Sequence, residues 1–151
     1  AGTDYIYNME RLRRKFVTAR KLVPTPIAQK ASQPTRYGAI YYGSTSPAMA
    51  EAFALLEKQG VHVDLMRVRA FPFPDEVMDF IANHDYVFVV EQNESAQLRT
   101  MIINEGDIDP KRLIRVLHYD GTPITARFIA GRITDIVQAN NVTPLRQQVA
   151  S

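Results

Sequence analysis

Tyr86-Val87-Phe88-Val89-Val90-Glu91 is the stretch that decides the fold, because nearly every residue in it is β-branched or aromatic and no polar face alternates with the apolar one. A strand of this kind lies inside a sheet covered on both sides, as strands of parallel sheets do. Working outward, residues 37–43 (Tyr37 to Gly43) and residues 61–68 (Val61 to Val68) are compact apolar runs of the same type, and Leu113–Leu117 is a fourth. Amphipathic helices are expected between them. One opens at Ser46-Pro47 and carries Met49, Phe53 and Leu56 inward. Serine there is expected to cap the free amides, with proline tolerated in the first turn. Gly60 is expected to end that helix in the left-handed conformation.

The beat then repeats. Phe71-Pro72-Phe73-Pro74 is a stiff turn, and residues 75–83 form a short helix with Val77, Phe80 and Ile81 inward. Residues 95–105 form a helix with Leu98, Met101 and Ile102 on one side and Gly106 as its stop. Residues 123–138 close the set, starting at Thr122-Pro123 and burying Ile124, Phe128, Ile129, Ile133, Ile136 and Val137. Alternation of buried strands with amphipathic helices predicts an α/β domain of three layers, α/β/α, around a mostly parallel sheet.

Residues 1–36 differ in character. Ile6, Met9, Leu12, Phe16, Ala19 and Val23 recur at helical spacing over residues 4–22, and Arg11, Arg13, Arg14, Lys15, Arg20 and Lys21 fill the other faces. Pro24 and Pro26 stop that helix, and a short edge strand is expected over residues 26–29. This segment carries eight Lys/Arg against two acids, a net +6, whereas residues 37–151 carry ten against fourteen, a net −4. The expected organisation is a leading helix and linker over 1–36, the α/β domain over 37–140, and a polar tail over 141–151.

The composition, 46% apolar and 23% charged, is that of one folded domain in 151 residues. No apolar run approaches a membrane span, and no stretch has the pattern of a signal peptide. The absence of cysteine excludes disulfides and any cysteine-ligated zinc or iron–sulfur site within the chain, and fits a reducing cytoplasm. The start at Ala1-Gly2-Thr3 is that expected of a piece of something longer. The basic helix could suit nucleic acid or an anionic membrane, but it lacks interleaved aromatics and the body offers no second basic patch. A solvated or subunit-facing helix is expected, with neither nucleic acid nor membrane as partner.

Ligands of open α/β sheets collect beyond the carboxyl ends of the strands. Four polar clusters fall there: Gly43-Ser44-Thr45-Ser46; Arg67 and Arg69; Glu91-Gln92-Asn93; and His118-Tyr119-Asp120-Gly121-Thr122. Ser44 and Thr45 could cradle a small anion or nucleotide phosphate before a helix, but the spacing fits neither GxGxxG nor GxxxxGK[ST], and a capped strand-to-helix turn is the stronger reading. Arg67 and Arg69 read as a carboxylate clamp or as ion-pair partners of Glu91, with Asn93 capping the next helix. His118 and Asp120 invite acid–base chemistry, yet no nucleophile motif accompanies them, and Asp120-Gly121 suits a tight turn. His62 and His84 read as ordinary surface or satisfied histidines, and no histidine–carboxylate set has metal-ligand spacing.

Four phrases in order give the chain a family likeness. Ala39-Ile40-Tyr41-Tyr42-Gly43-Ser44, Arg67-Val68-Arg69-Ala70-Phe71-Pro72, Phe88-Val89-Val90-Glu91-Gln92-Asn93 with Gln97-Leu98-Arg99, and His118-Tyr119-Asp120-Gly121-Thr122-Pro123 resemble the carboxyl-terminal domain of 2-oxoacid:ferredoxin oxidoreductase alpha subunits, particularly of the 2-oxoglutarate type. The resemblance runs from about residue 5 to residue 138. It implies a transketolase carboxyl-terminal-like fold with a five-stranded sheet whose first short strand runs antiparallel at an edge. It also implies a parent complex that decarboxylates a 2-oxoacid on thiamine diphosphate with magnesium, transfers the acyl group to coenzyme A, and passes electrons through an iron–sulfur cluster to ferredoxin. The partners implied are the remaining alpha-subunit domain, a beta subunit and a gamma component, fused or separate. The cofactor determinants of the family belong to other domains, and none is visible in this chain. A magnesium–diphosphate motif of the GDG…NN kind does not fit Asp120-Gly121 and Asn140-Asn141, since Tyr119 stands where the first glycine belongs. The expectation is therefore a domain that joins subunits, with Ser44, Thr45, Arg67, Arg69, Glu91, Gln92, Asn93, His118, Tyr119 and Asp120 at an interface or anion site. The alternatives are an anion- or nucleotide-binding module and a domain of another transketolase-like enzyme.

Overall fold

The computed structural model describes residues 2–142. The order of elements is α1 (Gly2–Arg20), β1 (Ile27–Gln29), β2 (Tyr37–Tyr42), α2 (Ser46–Lys58), β3 (Asp64–Val68), α3 (Asp75–Ala82), β4 (Tyr86–Glu91), α4 (Gln97–Gly106), β5 (Leu113–Leu117) and α5 (Ala126–Val142). The strands form one five-stranded sheet in the order β1-β3-β2-β4-β5. β3, β2, β4 and β5 are parallel, and β1 is antiparallel to β3 at the edge. The polar tail expected from residue 141 lies, from residue 143 on, outside the described residues.

β4 is central and buried from Val87 to Glu91, because its side chains meet a helical layer on either face. On one face, Ala39, Leu65, Phe88, Val90 and Val116 pack against Met49, Ala52 and Leu56 of α2 and Ile129 and Ile133 of α5. On the other, Ile40, Met66, Val87 and Val89 pack against Val77, Phe80 and Ile81 of α3 and Leu98 and Ile102 of α4. The chain leaves β2 towards β3 and crosses back to β4 before continuing to β5. The strand order thus reverses between β2 and β4, and the loops after these two strands flank the crevice at their carboxyl ends.

Several boundaries differ from the sequence expectation, each for a local reason. Ser46 does not cap α2. A single 3-10 turn, Gly43–Thr45, precedes the helix, and the Ser46 hydroxyl donates back to the Gly43 carbonyl at 2.8 Å. α5 starts at Ala126 rather than Pro123, because the Thr125 hydroxyl accepts from the Phe128 amide at 3.2 Å. Gly106 does not stop α4 by turning left-handed; Asp107 does so, at φ 49°. Gly106 lies close under Met78, whose flexible side chain would have to shift for a Cβ there, 2.6 Å from its sulfur. Gly60 does adopt the left-handed conformation after α2, at φ 71°. α1 buries none of its residues.

At the amino ends of the strands sits a buried polar knot. The Asp64 carboxylate, at the start of β3, accepts from the Lys30 ammonium at 2.6 Å and the Ala31 amide at 2.9 Å, and its Oδ2 lies 3.2 Å from Nε2 of His84. His84 Nδ1 is 2.7 Å from the Phe80 carbonyl, and Arg112 donates to the Ile81 and His84 carbonyls. The knot ties the edge segment, α3 and β5 together across the sheet. Burial works against ionisation of Asp64, but the Ala31 amide, the Lys30 ammonium and the His84 ring outweigh it and hold the carboxyl below its usual range. A carboxyl depressed in the folded state gives stability that is present above its unfolded value, about 3.9, and is lost as pH falls through the folded value. Stability of the wild-type chain measured by urea unfolding is therefore expected to fall as pH drops below about 4. Asp64→Asn is expected to lower stability at neutral pH and to flatten this acid limb; an unchanged acid limb would remove Asp64 as its source.

Candidate functional site

The site expected at the carboxyl ends of the strands is built around Glu91, the last residue of β4. The sheet carries this carboxylate to a position with no solvent exposure. Ionised carboxylates are tolerated in such positions only when their oxygens are filled with donors. Here Oε2 accepts from the Leu98 amide at 2.8 Å and the Asn93 carboxamide at 2.8 Å, and Oε1 accepts from the Arg99 amide at 3.0 Å. Asn93 Oδ1 accepts in turn from the Gln97 amide at 3.2 Å. The amides of Gln97, Leu98 and Arg99, which open α4 and have no partner within the helix, are thus all satisfied by side chains from the end of β4. The negative charge also faces the positive end of the helix dipole.

This arrangement is coupled to a strained backbone. Ala96, just before α4, is left-handed at φ 51°, ψ 51°, a conformation that costs a residue with a Cβ about 1–2 kcal/mol. The bend aims the first amides of the helix back at Glu91, so the charge-assisted bonds offset the strain. Asn93 does not hold the cap position, which is Ala96; its Oδ1 accepts from the first amide of the helix, that of Gln97. The pairing of Glu91 with Arg67 or Arg69 does not occur: the carboxylate is saturated by amides, and neither guanidinium reaches it. Arg69 donates to the Thr25 carbonyl at 3.3 Å, holding the linker before β1. Arg67 stands beside Tyr41 in the β2–β3 register, with its Nε buried and without a hydrogen-bond partner among the described residues. Burial raises the Tyr41 hydroxyl above its usual pKa, against the opposing effect of Arg67. The two arginines therefore act at separate places and form no clamp.

Gln92 draws the other loops together. Its Nε2 donates to the Ser44 hydroxyl at 3.1 Å and the Thr45 hydroxyl at 3.2 Å, and its Oε1 accepts from the Ile124 amide at 3.3 Å. One carboxamide thus links the turn after β2, the end of β4 and the segment before α5, across the crevice where the strand order reverses. Beside it lies an open cleft of about 330 Å³ lined by Ser44, Gln92, Gly121, Thr122, Pro123 and Ile124. Gln92 Nε2 is engaged by Ser44 and Thr45, and the Thr122 amide and hydroxyl by Asp120. Ser46 gives its amide and hydroxyl to Gly43, and Pro47 has no amide hydrogen.

His118 and Asp120 come together at 3.1 Å, yet Thr122 holds both. Asp120 Oδ1 accepts from the Thr122 amide at 2.8 Å and its hydroxyl at 2.7 Å, and these bonds keep the Asp120 carboxyl below its usual pKa. His118 Nε2 lies 3.0 Å from the Thr122 carbonyl, and the ring packs on Phe128 with centroids 5.0 Å apart. This is a turn closed on itself. Tyr119 is exposed beside it. Of the ten candidate positions, then, Ser44, Thr45 and Gln92 form one bonded group, Glu91 and Asn93 a second, and His118 and Asp120 a third, while Arg67, Arg69 and Tyr119 stand apart. Sequence reading missed Arg99, whose guanidinium donates to the Leu113 and Pro110 carbonyls, each at 2.7 Å, and fixes α4 to the start of β5.

The thiamine diphosphate, magnesium and iron–sulfur groups implied for the parent complex do not fit these residues. No cysteine is present to ligate iron, and among the described residues no group of three His, Asp or Glu is placed to hold a metal.

No family model matches the chain. It is similar to the 2-oxoacid:ferredoxin oxidoreductase subunit alpha of Saccharolobus solfataricus, 26% identical over 129 residues, covering 83% of this chain and 20% of that protein. Among solved structures, the 2-oxoglutarate:ferredoxin oxidoreductase of Magnetococcus marinus, with 2-oxoglutarate, coenzyme A and succinyl-CoA bound, superposes with TM-score 0.74 at 25% identity, over 87% of this chain and 24% of that one. The alpha chain of a probable 2-oxoacid ferredoxin oxidoreductase from Thermoplasma acidophilum gives 0.50 at 24% identity, over 76% and 97%. A split-gene transketolase gives 0.57 at 16% identity, over 75% and 41%. The fold is that of transketolase carboxyl-terminal-like domains. The chain spans about a fifth of the curated relative it matches.

Glu91→Gln places a donor NH2 against an amide donor in a site without water. A loss of about 1–3 kcal/mol is expected in urea unfolding, with faster amide exchange at Leu98 and Arg99. Stability and exchange equal to wild type would show that the carboxylate does not hold the helix.

Proposed function

We propose that the chain is the carboxyl-terminal, transketolase-like domain of the alpha subunit of a 2-oxoacid:ferredoxin oxidoreductase, and that it joins and orients the other parts of the enzyme while the chemistry takes place elsewhere. The parent reaction is the oxidative decarboxylation of a 2-oxoacid, with 2-oxoglutarate the favoured substrate, to an acyl-CoA with reduction of ferredoxin.

The assignment to the oxidoreductase is supported by the similarity to alpha subunits over most of this chain. The preference for 2-oxoglutarate is supported by the likeness to the Magnetococcus marinus enzyme. The assembly role is carried by one observation: at the carboxyl ends of the strands, the polar groups that could meet a substrate are already bonded to one another. Glu91 fills the start of α4, Gln92 spans three loops, and Asp120 and His118 close on Thr122. A catalytic acid or base needs a free hydrogen-bond position facing the reacting atom. Glu91 keeps none, and at His118 and Asp120 the atoms Nε2 and Oδ1 are the ones engaged.

The test is 2-oxoacid- and coenzyme-A-dependent viologen reduction by the parent enzyme, measured with and without this domain, together with its assembled mass. Removal of the domain is expected to leave the remaining polypeptides folded but unassembled and inactive. Retention of both assembly and activity would contradict the proposal. Comparison of 2-oxoglutarate with pyruvate in the same assay tests the substrate preference.

A further inference from the structure

α1 is a 19-residue helix that buries nothing. Tyr5, Ile6, Tyr7, Met9, Leu12, Phe16 and Val17 are exposed, from 42% at Leu12 to 66% at Tyr5. A helix held only by its own hydrogen bonds is marginal in water, and apolar side chains at this spacing stabilise it only when something covers them. Tyr5, Met9, Leu12 and Phe16 fall on one line along the helix. The carboxyl end of that line is anchored to the domain. Phe16 meets Phe71 edge-on with centroids 6.3 Å apart, and Arg20 reaches Asp75 at 3.6 Å and Glu105 at 3.8 Å.

The stripe does not end at Phe71. Phe71 also lines an apolar cleft of about 440 Å³ with Tyr42, Val68, Arg69, Leu98 and Met101. Tyr42, Phe71 and Met101 are each more than a third exposed at its rim. Helix and cleft together make one continuous apolar surface, convex along α1 and concave on the domain. Patches of this kind mark protein interfaces.

Charge decides the occupant. α1 carries Arg11, Arg13, Arg14, Lys15 and Arg20 against Asp4 and Glu10. Arg14 is paired with Glu10 at 3.8 Å and Arg20 with the domain, so Arg11, Arg13 and Lys15 have no acidic partner among the described residues. A second copy of α1 laid along the first would bring like charges together. A flat lipid surface would leave the cleft unfilled. We infer that this surface docks a protein face of the same oxidoreductase that offers an apolar ridge for the cleft and a row of Asp and Glu alongside α1. The inference rests on the proposed function and names the surface through which that assembly is made.

The experiment co-expresses the full chain with the remaining polypeptides of the oxidoreductase and measures their association by affinity capture at low and high salt. Met9→Glu/Leu12→Glu alters two exposed side chains that belong to neither core cluster, so the domain is expected to fold, with its circular dichroism retained. Association is expected to weaken about tenfold or more. Arg11→Glu/Arg13→Glu is expected to weaken it too, and to remove most of its salt dependence. Zero-length carbodiimide cross-linking is expected to join Lys15 to a carboxylate of another polypeptide or domain. Association unchanged in both variants overturns the docking surface while leaving the assembly role intact. A wild-type chain that dimerises through α1, or that floats with phosphatidylcholine–phosphatidylglycerol vesicles, overturns it in favour of those occupants. Failure of the wild-type chain to associate with any oxidoreductase polypeptide removes the proposed function and the docking surface together.

Discussion

The end of β4 carries a carboxylate that water never reaches, and the arrangement of the strand ends follows from how that charge is satisfied. Leaving Glu91 unpaired there would be prohibitive, so the chain turns left-handed at Ala96 to bring the first amides of α4 onto its oxygens. That turn fixes where α4 starts and therefore which residues, Leu98 and Ile102, reach the core on its face of the sheet. Gln92 follows Glu91 directly at the end of β4. From there Gln92 meets Ser44, Thr45 and the Ile124 amide, bridging the crevice where α/β folds of this topology bind their ligands.

Much of this could be read from residues alone, and the parts that could not share a cause. The continuous apolar runs at Tyr86–Glu91 and Leu113–Leu117 declare strands buried on both faces, and Met49, Leu56, Ile129 and Ile133 declare the helices that cover one of them. These signals are local and periodic, so they survive without three-dimensional information. Glu91 was legible as a polar residue at a strand end but not as a buried one. Its partners are main-chain amides, which leave no mark in side-chain identity, and arginines two strands away in the order appeared the better match for its charge. Thr125 was overlooked for a similar reason. Thr122-Pro123 carries the composition of a helix start, yet Thr122 is engaged by Asp120 and His118, and the helix opens three residues later at Thr125. Gly106 was taken for a stop on composition, whereas the left-handed turn falls one residue later, at Asp107.

The two ends of the sheet serve different needs. At the amino ends, Asp64, Lys30 and His84 stitch the antiparallel edge strand to the parallel body, where a three-residue strand alone would be weakly held. At the carboxyl ends, hydrogen bonds are internal while the neighbouring apolar surface, from Met101 and Tyr42 through Phe71 to α1, is left open. The carboxyl ends thus set bonded polar groups beside an exposed apolar and cationic face.

The most direct test of the central claim, that the strand-end polar groups are structural, is a backbone amide NMR titration of the chain with 2-oxoglutarate, coenzyme A and inorganic pyrophosphate in turn. The account predicts that the amides of Ser44, Gln92, Leu98, Arg99, Thr122 and Ile124 keep their chemical shifts in all three titrations. Saturable shifts confined to these residues would contradict it and would make the crevice between β2 and β4 a ligand site.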